Sequence, residues 1–358
     1  MFFTHPQLKL NIKNILLFFK PISLKKLKIK LANFFPNKNI VFTDSGRSAF
    51  QLAIENLNLQ DSEILIPAYI CDIFGPILKH YNIKPIYLDI DLKTFNLDLK
   101  SFNKDKITPK TKSILVCHTY GLPNDMTKIT EFAQKYNLKI IEDCAHAFGA
   151  KFQNQYLGNF GDCAFFSLPK FLPVINGGML ILRGRTPKLL RGATPKFKDL
   201  VKFLRLFQFI AAFSEKFRNS NKTFTITEFS FPKKPCKSSL NIFNYYLKNY
   251  NKAQRKRIEL AKFFQQELKN LNFEVQVNEN NIFTYLSALV PENIDRNELF
   301  NQLRKRRIFC SRIWHKPMFD NLPNTSEAAH RIINFPIQNW FSAKDIVNIA
   351  NQIRYFIK

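Results

Sequence analysis

Between residues 40 and 182 short β-type runs alternate with helical ones, and this rhythm restricts the fold more than any other feature of the chain. NIVF (39–42) leads to a helical segment near 47–58, and EILIP (63–67) to another near 72–81. KPIYLDI, SILVCH and KIIEDCA are strand-like; between the last two lies DMTKITEFAQKYN, whose Ile129, Phe132, Ala133 and Tyr136 form a helical stripe behind Asp125 as cap. Such alternation predicts an α/β domain around a mostly parallel sheet, with ligands at the carboxyl ends of the strands. After AFFSL and GGMLIL, which read as adjacent short strands, the rhythm changes. Residues 183–235 are basic and irregular, with one helical run, FKDLVKFLRLFQFIAAFSEKF. A long helix near 244–271, strands at FEVQV, YLSALVP and FCSRIW, a helix around 295–307 and a closing helix from Ser342 predict a smaller α+β domain. The division is a basic segment 1–39, a large α/β domain 40–235 and a C-terminal domain 236–358.

Composition narrows the class. The six cysteines of the 358-residue chain are widely spaced and form no CxxC pair, so neither a zinc site nor a disulfide framework is expected, and a reducing cytoplasm fits. No cleavable leader pattern opens the sequence and no apolar stretch reaches membrane-spanning length. The net charge of +27 points by itself to nucleic acid or an anionic membrane. Lysine, asparagine, isoleucine and phenylalanine are enriched together, however, as an AT-rich coding sequence produces, and the phenylalanines sit in apolar periodic runs that predict core packing. Two stretches mix apolar runs with basic residues as a helix at a membrane surface does: ILLFFKPISLKKLKIKLANFF and the 197–217 run. Packing on the protein itself is the alternative for both.

Chemistry-bearing residues collect at the strand ends. IEDCAHAFGA closes an apolar strand with Glu142, Asp143 and, three residues on, His146. SGRSA (45–49) stands at a strand-to-helix turn, where Gly46 lets a ligand approach the backbone and the first helix amides point outward as an anion site. FSLPKFLPVINGGML (166–180) sets Lys170 between two prolines in an otherwise apolar run, three residues after Ser167 and ahead of Gly177-Gly178. Either that lysine snorkels from a buried segment, or the segment exists to hold it, since apolar surroundings lower an amine's pKa by disfavouring its charged form.

In order and content these pieces resemble the DegT/StrS family of fold-type I, pyridoxal-phosphate-dependent sugar aminotransferases. The elements that carry the resemblance are TDSGRSAFQLAI, EILIPAYICDI, KPIYLDIDLKTFNLD, TKSILVCHTYGLPNDM, KIIEDCAHAFGA, GNFGDCAFFSLPK and NGGML, with RIINFPIQNWFSAKDI near the C-terminus. The resemblance implies a seven-stranded mixed sheet in the large domain, pyridoxal 5'-phosphate as cofactor, and transfer of an amino group, from glutamate, to a keto sugar carried on a nucleoside diphosphate. It implies that Lys170 carries the cofactor's aldehyde, Asp143 holds the proton on its ring nitrogen, and His146 lies near its phenolic oxygen. Ser167 and the amides of Gly46, Arg47 and Ser48 would take the phosphate, and His315 in HKP falls on the substrate side. A homodimer is implied too, although KSSLNIFNYYLKNY stands where the family's cross-subunit asparagine-arginine-methionine motif falls. Where many members place an aromatic over the ring, IPAYICDI offers Cys71, with Tyr69 two residues before it, and the choice between the two stays open. The alternative is a degenerate relative acting as a binding or scaffold protein.

Overall fold

The computed structural model describes residues 23–184, 187, 229–277 and 279–357. Strands β1 (Asn39–Thr43), β2 (Glu63–Pro67), β3 (Lys84–Leu88), β4 (Thr111–Cys117), β5 (Lys139–Asp143), β8 (Cys163–Ser167) and β9 (Gly178–Leu182) form one seven-stranded sheet in the order β1-β9-β8-β5-β4-β2-β3. A small hairpin of β6 (Lys151–Phe152) and β7 (Gln155–Tyr156) precedes β8. Only β9 runs against its neighbours, so the sheet is mixed and mostly parallel, as expected. Its strands read as continuous apolar runs because both faces are covered. Ile114, Val116, Ile140, Ala164 and Phe166 enter one core, while Leu115, Ile141, Cys163 and Phe165 enter the other.

Helices α1 (Leu24–Ala32), α2 (Gly46–Asn56), α3 (Phe74–His80) and α4 (Met126–Lys135) accompany this sheet. The Asp125 side chain caps α4 by accepting from the Lys128 amide. In α1, Leu27 and Leu31 are fully buried with Phe35, among Phe148 and Phe166. Residues 24–35 of the first amphipathic stretch therefore pack on the protein, and no helix among the described residues is long and apolar enough to cross a membrane. The 197–217 run lies outside the described residues.

The sequence predicts one long helix near 244–271; the structure has two, α5 (Lys237–Leu247) and α6 (Tyr250–Lys269). They part where Asn249 leaves helical dihedrals (φ −116, ψ 9). The break lets Phe243 and Tyr250 both face the large sheet's core, with the Tyr250 hydroxyl donating to the Phe148 carbonyl. Three strands, β10 (Glu274–Val275), β11 (Leu286–Leu289) and β12 (Ile332–Phe335), form an antiparallel sheet, accompanied by α7 (Arg296–Lys305), α8 (Pro323–Arg331) and α9 (Ala343–Ile357). FCSRIW, expected as a strand, is a loop tied to β12 by a single bridge, Ser311 to Asn334. All six cysteines are free thiols.

Candidate functional site

The carboxyl ends of β1, β4, β5 and β8 and the start of β9 open on one side of the sheet. There Asp44 leads into α2, His118–Gly121 follow β4, Asp143–His146 follow β5, and Ser167–Lys170 follow β8. The Lys170 loop is anchored to the α2 turn through the glycine pair: Gly177 N–H donates to the Asp44 carbonyl (2.8 Å), and its own carbonyl accepts from Leu168 N–H (3.0 Å). Gly178 has to lack a side chain, since a Cβ there would lie 2.2 Å from the Ser45 carbonyl oxygen. Leu168, Phe171, Leu172 and Val174 are core residues. Lys170 emerges from them with its side chain accessible to solvent. The apolar run is thus a mount for one polar group.

Apolar surroundings do not set the proton affinity of that amine, contrary to the sequence expectation. Charge interaction with Tyr285 pushes the Lys170 amine above its ordinary value; burial opposes the shift, and Cys71 and Asp143 add to it. Asp143 is buried at the end of β5, where its Oδ1 accepts from Ala145 N–H (2.9 Å). Burial pushes this carboxyl up to about 6, against the Ala145 amide, His118, Cys117 and Lys170, all of which favour the charge. Burial and Lys170 hold the His146 imidazole well below its usual value, so it is neutral near pH 7, and its Nδ1 is buried with no hydrogen-bond partner among the described residues. The ring lies 5.5 Å from Trp314 and 6.0 Å from Tyr120, nearly parallel to both.

At the α2 turn, Ser45 is the N-cap and accepts from Ser48 N–H (3.2 Å), while the Ser48 hydroxyl donates to Asp44 (2.6 Å). Both Ser48 donors are therefore engaged within the turn. The amides of Gly46 and Arg47 remain among those that a helix's first turn leaves without intrahelical acceptors. Ser167 adjoins them: a Cβ on Gly46 would lie 3.1 Å from Ser167 Cβ. His315 is half-buried on the loop that carries Trp314, and its Nδ1–H donates to the Arg312 carbonyl (2.8 Å), leaving Nε2 as the acceptor of the neutral ring. Ser238, Ser239 and Asn241 are buried in α5, with the Ser239 hydroxyl donating to Asn176 in the Lys170 loop.

Sequence reading offered Tyr69 only as a candidate for stacking and missed the rest of the wall it belongs to. Tyr69 and Tyr120 hydroxyls lie 2.8 Å apart and both reach the Ile313 carbonyl (3.0 and 2.9 Å), so three oxygens share two protons and fix the 312–316 loop over the site. Tyr120 and Trp314 both have positive φ (58 and 64), uncommon for aromatic residues and characteristic of sites held by their surroundings. The one signal for this in the sequence is the Tyr-Gly step in HTYGL.

The sequence comparisons bear on this constellation directly. A model of the DegT/DnrJ/EryC1/StrS aminotransferase family matches residues 23–194 and 204–354. The chain belongs to this family. The dTDP-4-amino-4,6-dideoxy-D-glucose transaminase of Shigella dysenteriae is 25% identical over 350 residues, 92% of this chain and 89% of that protein. The GDP-perosamine synthase of Escherichia coli O157:H7 is 36% identical over 166 residues, 44% of this chain and 45% of that one. Among solved structures, a Streptococcus pneumoniae protein assigned as a sugar aminotransferase, in its PLP-form, superposes with a TM-score of 0.75 at 18% identity, covering 99% of this chain and 97% of its own. As a DegT/StrS aminotransferase, the chain has pyridoxal 5'-phosphate as its cofactor. Its donor set fits that group: an accessible amine for the aldehyde, a buried carboxyl for the ring nitrogen, an unpartnered buried imidazole nitrogen, and helix amides beside a serine for the phosphate.

Proposed function

We propose that this aminotransferase moves an amino group from an amino acid, glutamate in the first instance, to a keto sugar carried on a nucleoside diphosphate, with Lys170 as the acting amine. The observation that carries the reading is the meeting of Lys170, Asp143 and His146 around one cleft, where Lys170 alters the proton affinity of both others and Asp143 that of Lys170. Likeness to relatives named for dTDP- and GDP-linked sugars supports the substrate class. Pyridoxal phosphate, when bound, supplies an aldehyde and an electron-withdrawing ring that takes up the electron pair left when a carbon–hydrogen bond next to nitrogen breaks.

The protein's own groups do the rest. Asp143, turned into the cleft, keeps a proton on the ring nitrogen, because a buried carboxylate gains most from a cation placed against it. Lys170 Nζ takes the proton from the donor's α-carbon and returns it elsewhere as general acid. His146 stays neutral and offers Nδ1 to a polar neighbour. The amides of Gly46 and Arg47 with Ser167 hold the phosphate at the positive end of α2, and His315 Nε2 faces the substrate. The assembly is a homodimer, since closed two-fold pairs are the commonest symmetric oligomers.

The test is chemical. Borohydride treatment of the cofactor-loaded protein should fix pyridoxal phosphate to the peptide that contains Lys170, and Lys170→Ala should abolish both the label and transamination. A label on a different lysine would overturn the assignment. Incubation with glutamate and a panel of nucleotide keto sugars, read by mass spectrometry, identifies the acceptor; failure of every amino acid to yield the pyridoxamine form would favour a scaffold protein.

A further inference from the structure

Trp314 reaches the cleft from the loop between α7 and α8, and one peptide of that loop is gripped from both sheets. Ile313 N–H donates to Asn334 Oδ1 on β12 (2.6 Å), while the Ile313 carbonyl accepts from the hydroxyls of Tyr69 and Tyr120 (3.0 and 2.9 Å), which follow β2 and β4. Asn334 is itself fixed, since its backbone exchanges two hydrogen bonds with Ser311 and its Nδ2 donates to Ser287 on β11. The same tyrosines flank the next side chain. The Trp314 indole stands edge-on to Tyr69 (5.4 Å between centroids, 81°) and nearly parallel to Tyr120 (5.5 Å, 24°).

It also meets His146, 5.5 Å away and again at 24°. His146 is only 4% exposed, and its Nδ1 has no hydrogen-bond partner among the described residues. Rings frame it instead: Trp314, Tyr120 (6.0 Å, 15°) and, edge-on, Tyr285 (5.1 Å, 77°). Tyr285 comes from the small sheet along a seam in which Ile282 N–H donates to Gly121 O (3.2 Å) and Thr284 N–H to Tyr120 O (3.0 Å). We infer that Trp314 is a positioning residue for His146, the indole fixing the plane of the imidazole and so the direction of its unbonded Nδ1. The inference rests on the reading of His146 as a group that meets the cofactor. A histidine ring turns about its Cβ–Cγ bond over a broad, two-fold range, and a hydrogen bond at one nitrogen ordinarily settles its orientation. Here an aromatic neighbour in offset-stacked geometry takes that place. A polar atom aimed in advance binds its partner without first giving up rotational freedom. No bond to His146 is made or broken by the contact.

The experiment uses the cofactor-free, full-length protein and its Trp314→Leu, His146→Ala and doubly substituted variants, each titrated to equilibrium with pyridoxal phosphate and checked for folding by thermal melting. His146→Ala and Trp314→Leu should each weaken binding about fivefold, the scale of one neutral hydrogen bond. The double variant should bind no more than about twofold worse than His146→Ala alone, because a residue that acts through another adds nothing once that other is gone. Trp314→Phe, which keeps a flat ring, should stay within about twofold of wild type. Losses that multiply in the double variant, or a silent Trp314→Leu, overturn the inference. Trp340 is the chain's other tryptophan, so Trp340→Phe leaves Trp314 as the sole indole emitter and gives a second reading should Trp314→Leu fail to fold. In that background His146→Ala should move the emission to longer wavelength as water replaces the imidazole face; an unmoved emission overturns the inference. Wild-type affinity in His146→Ala would instead sink the reading of His146, and the inference with it.

Discussion

Glu142 and Asp143 are consecutive on β5 and leave it on opposite faces, where two regions of the molecule treat a carboxylate in opposite ways. On one face Glu142 is saturated: Oε1 accepts from the amides of Phe160 and Gly161, and Oε2 from Gly158 N–H and from His118 Nε2. His118 in turn accepts from Asn124 N–H at Nδ1, which fixes the ring, and its own amide donates to the Asp143 carbonyl. On the cleft face Asp143 has one backbone amide and is otherwise short of donors. The first carboxylate organises the 158–161 turn; the second is left wanting a cation. A buried charge completed by the chain is architecture, whereas one left incomplete marks where a ligand belongs.

The comparison breaks first at Glu142. Glu142→Ala should strand three backbone amides in a dry interior, each worth about 1–3 kcal/mol, for a loss of roughly 4 kcal/mol or more in guanidinium unfolding. A loss below about 1 kcal/mol would mean that this face is not structural.

Asp143→Asn sharpens the contrast from the other side. Turnover should fall about a hundredfold, the usual cost of one preorganised partner of a developing charge, with Lys170 still labelled by borohydride. Stability should move the opposite way in the cofactor-free protein. The folded carboxyl titrates at about 6 against an ordinary value of 3.8. Its ionised form is therefore disfavoured by folding, so the wild type loses stability as pH rises through that window and is least penalised below 4. The Asn variant, which has no such charge, should gain up to about 3 kcal/mol over wild type at pH 8 and nothing at pH 4. Denaturant melts at the two pH values decide it; equal stability at both would show that Asp143 is as well satisfied as Glu142.

The smallest effect concerns Ser45, which belongs to both regions because it caps α2 and borders the turn proposed to hold the phosphate. Ser45→Ala should cost about 1 kcal/mol as a lost N-cap. It should change pyridoxal phosphate affinity less than about threefold in an equilibrium titration, because the amides of Gly46 and Arg47 stay in place.

Much of this molecule was readable in one dimension. The strand runs, the Asp125 cap, the Asp143–His146 spacing and the Ser167–Lys170 loop all lie within a few residues of each other, where periodicity and turn chemistry act. Even the adjacency of β8 and β9 was legible in AFFSL and GGMLIL; their antiparallel pairing, from Cys163–Leu182 to Ser167–Gly178, came with the structure. The helix break at Asn249 was not, because both halves carry helical composition and only the demand that Phe243 and Tyr250 face one core separates them. FCSRIW has strand-like composition too, yet a single bridge to β12 leaves it free to carry Trp314 over His146.

The sequence by itself determined which groups could do the chemistry: an amine on an apolar mount, a carboxyl three residues before a histidine, and a glycine turn at a helix start. Only the tertiary structure decided their protonation. The proton affinity of Lys170 responds to Tyr285, 115 positions away, and that of Asp143 to how completely its surroundings exclude water. Proton affinity sums over neighbours in space, and docking of the small sheet at Gly121 brings Tyr285 among them.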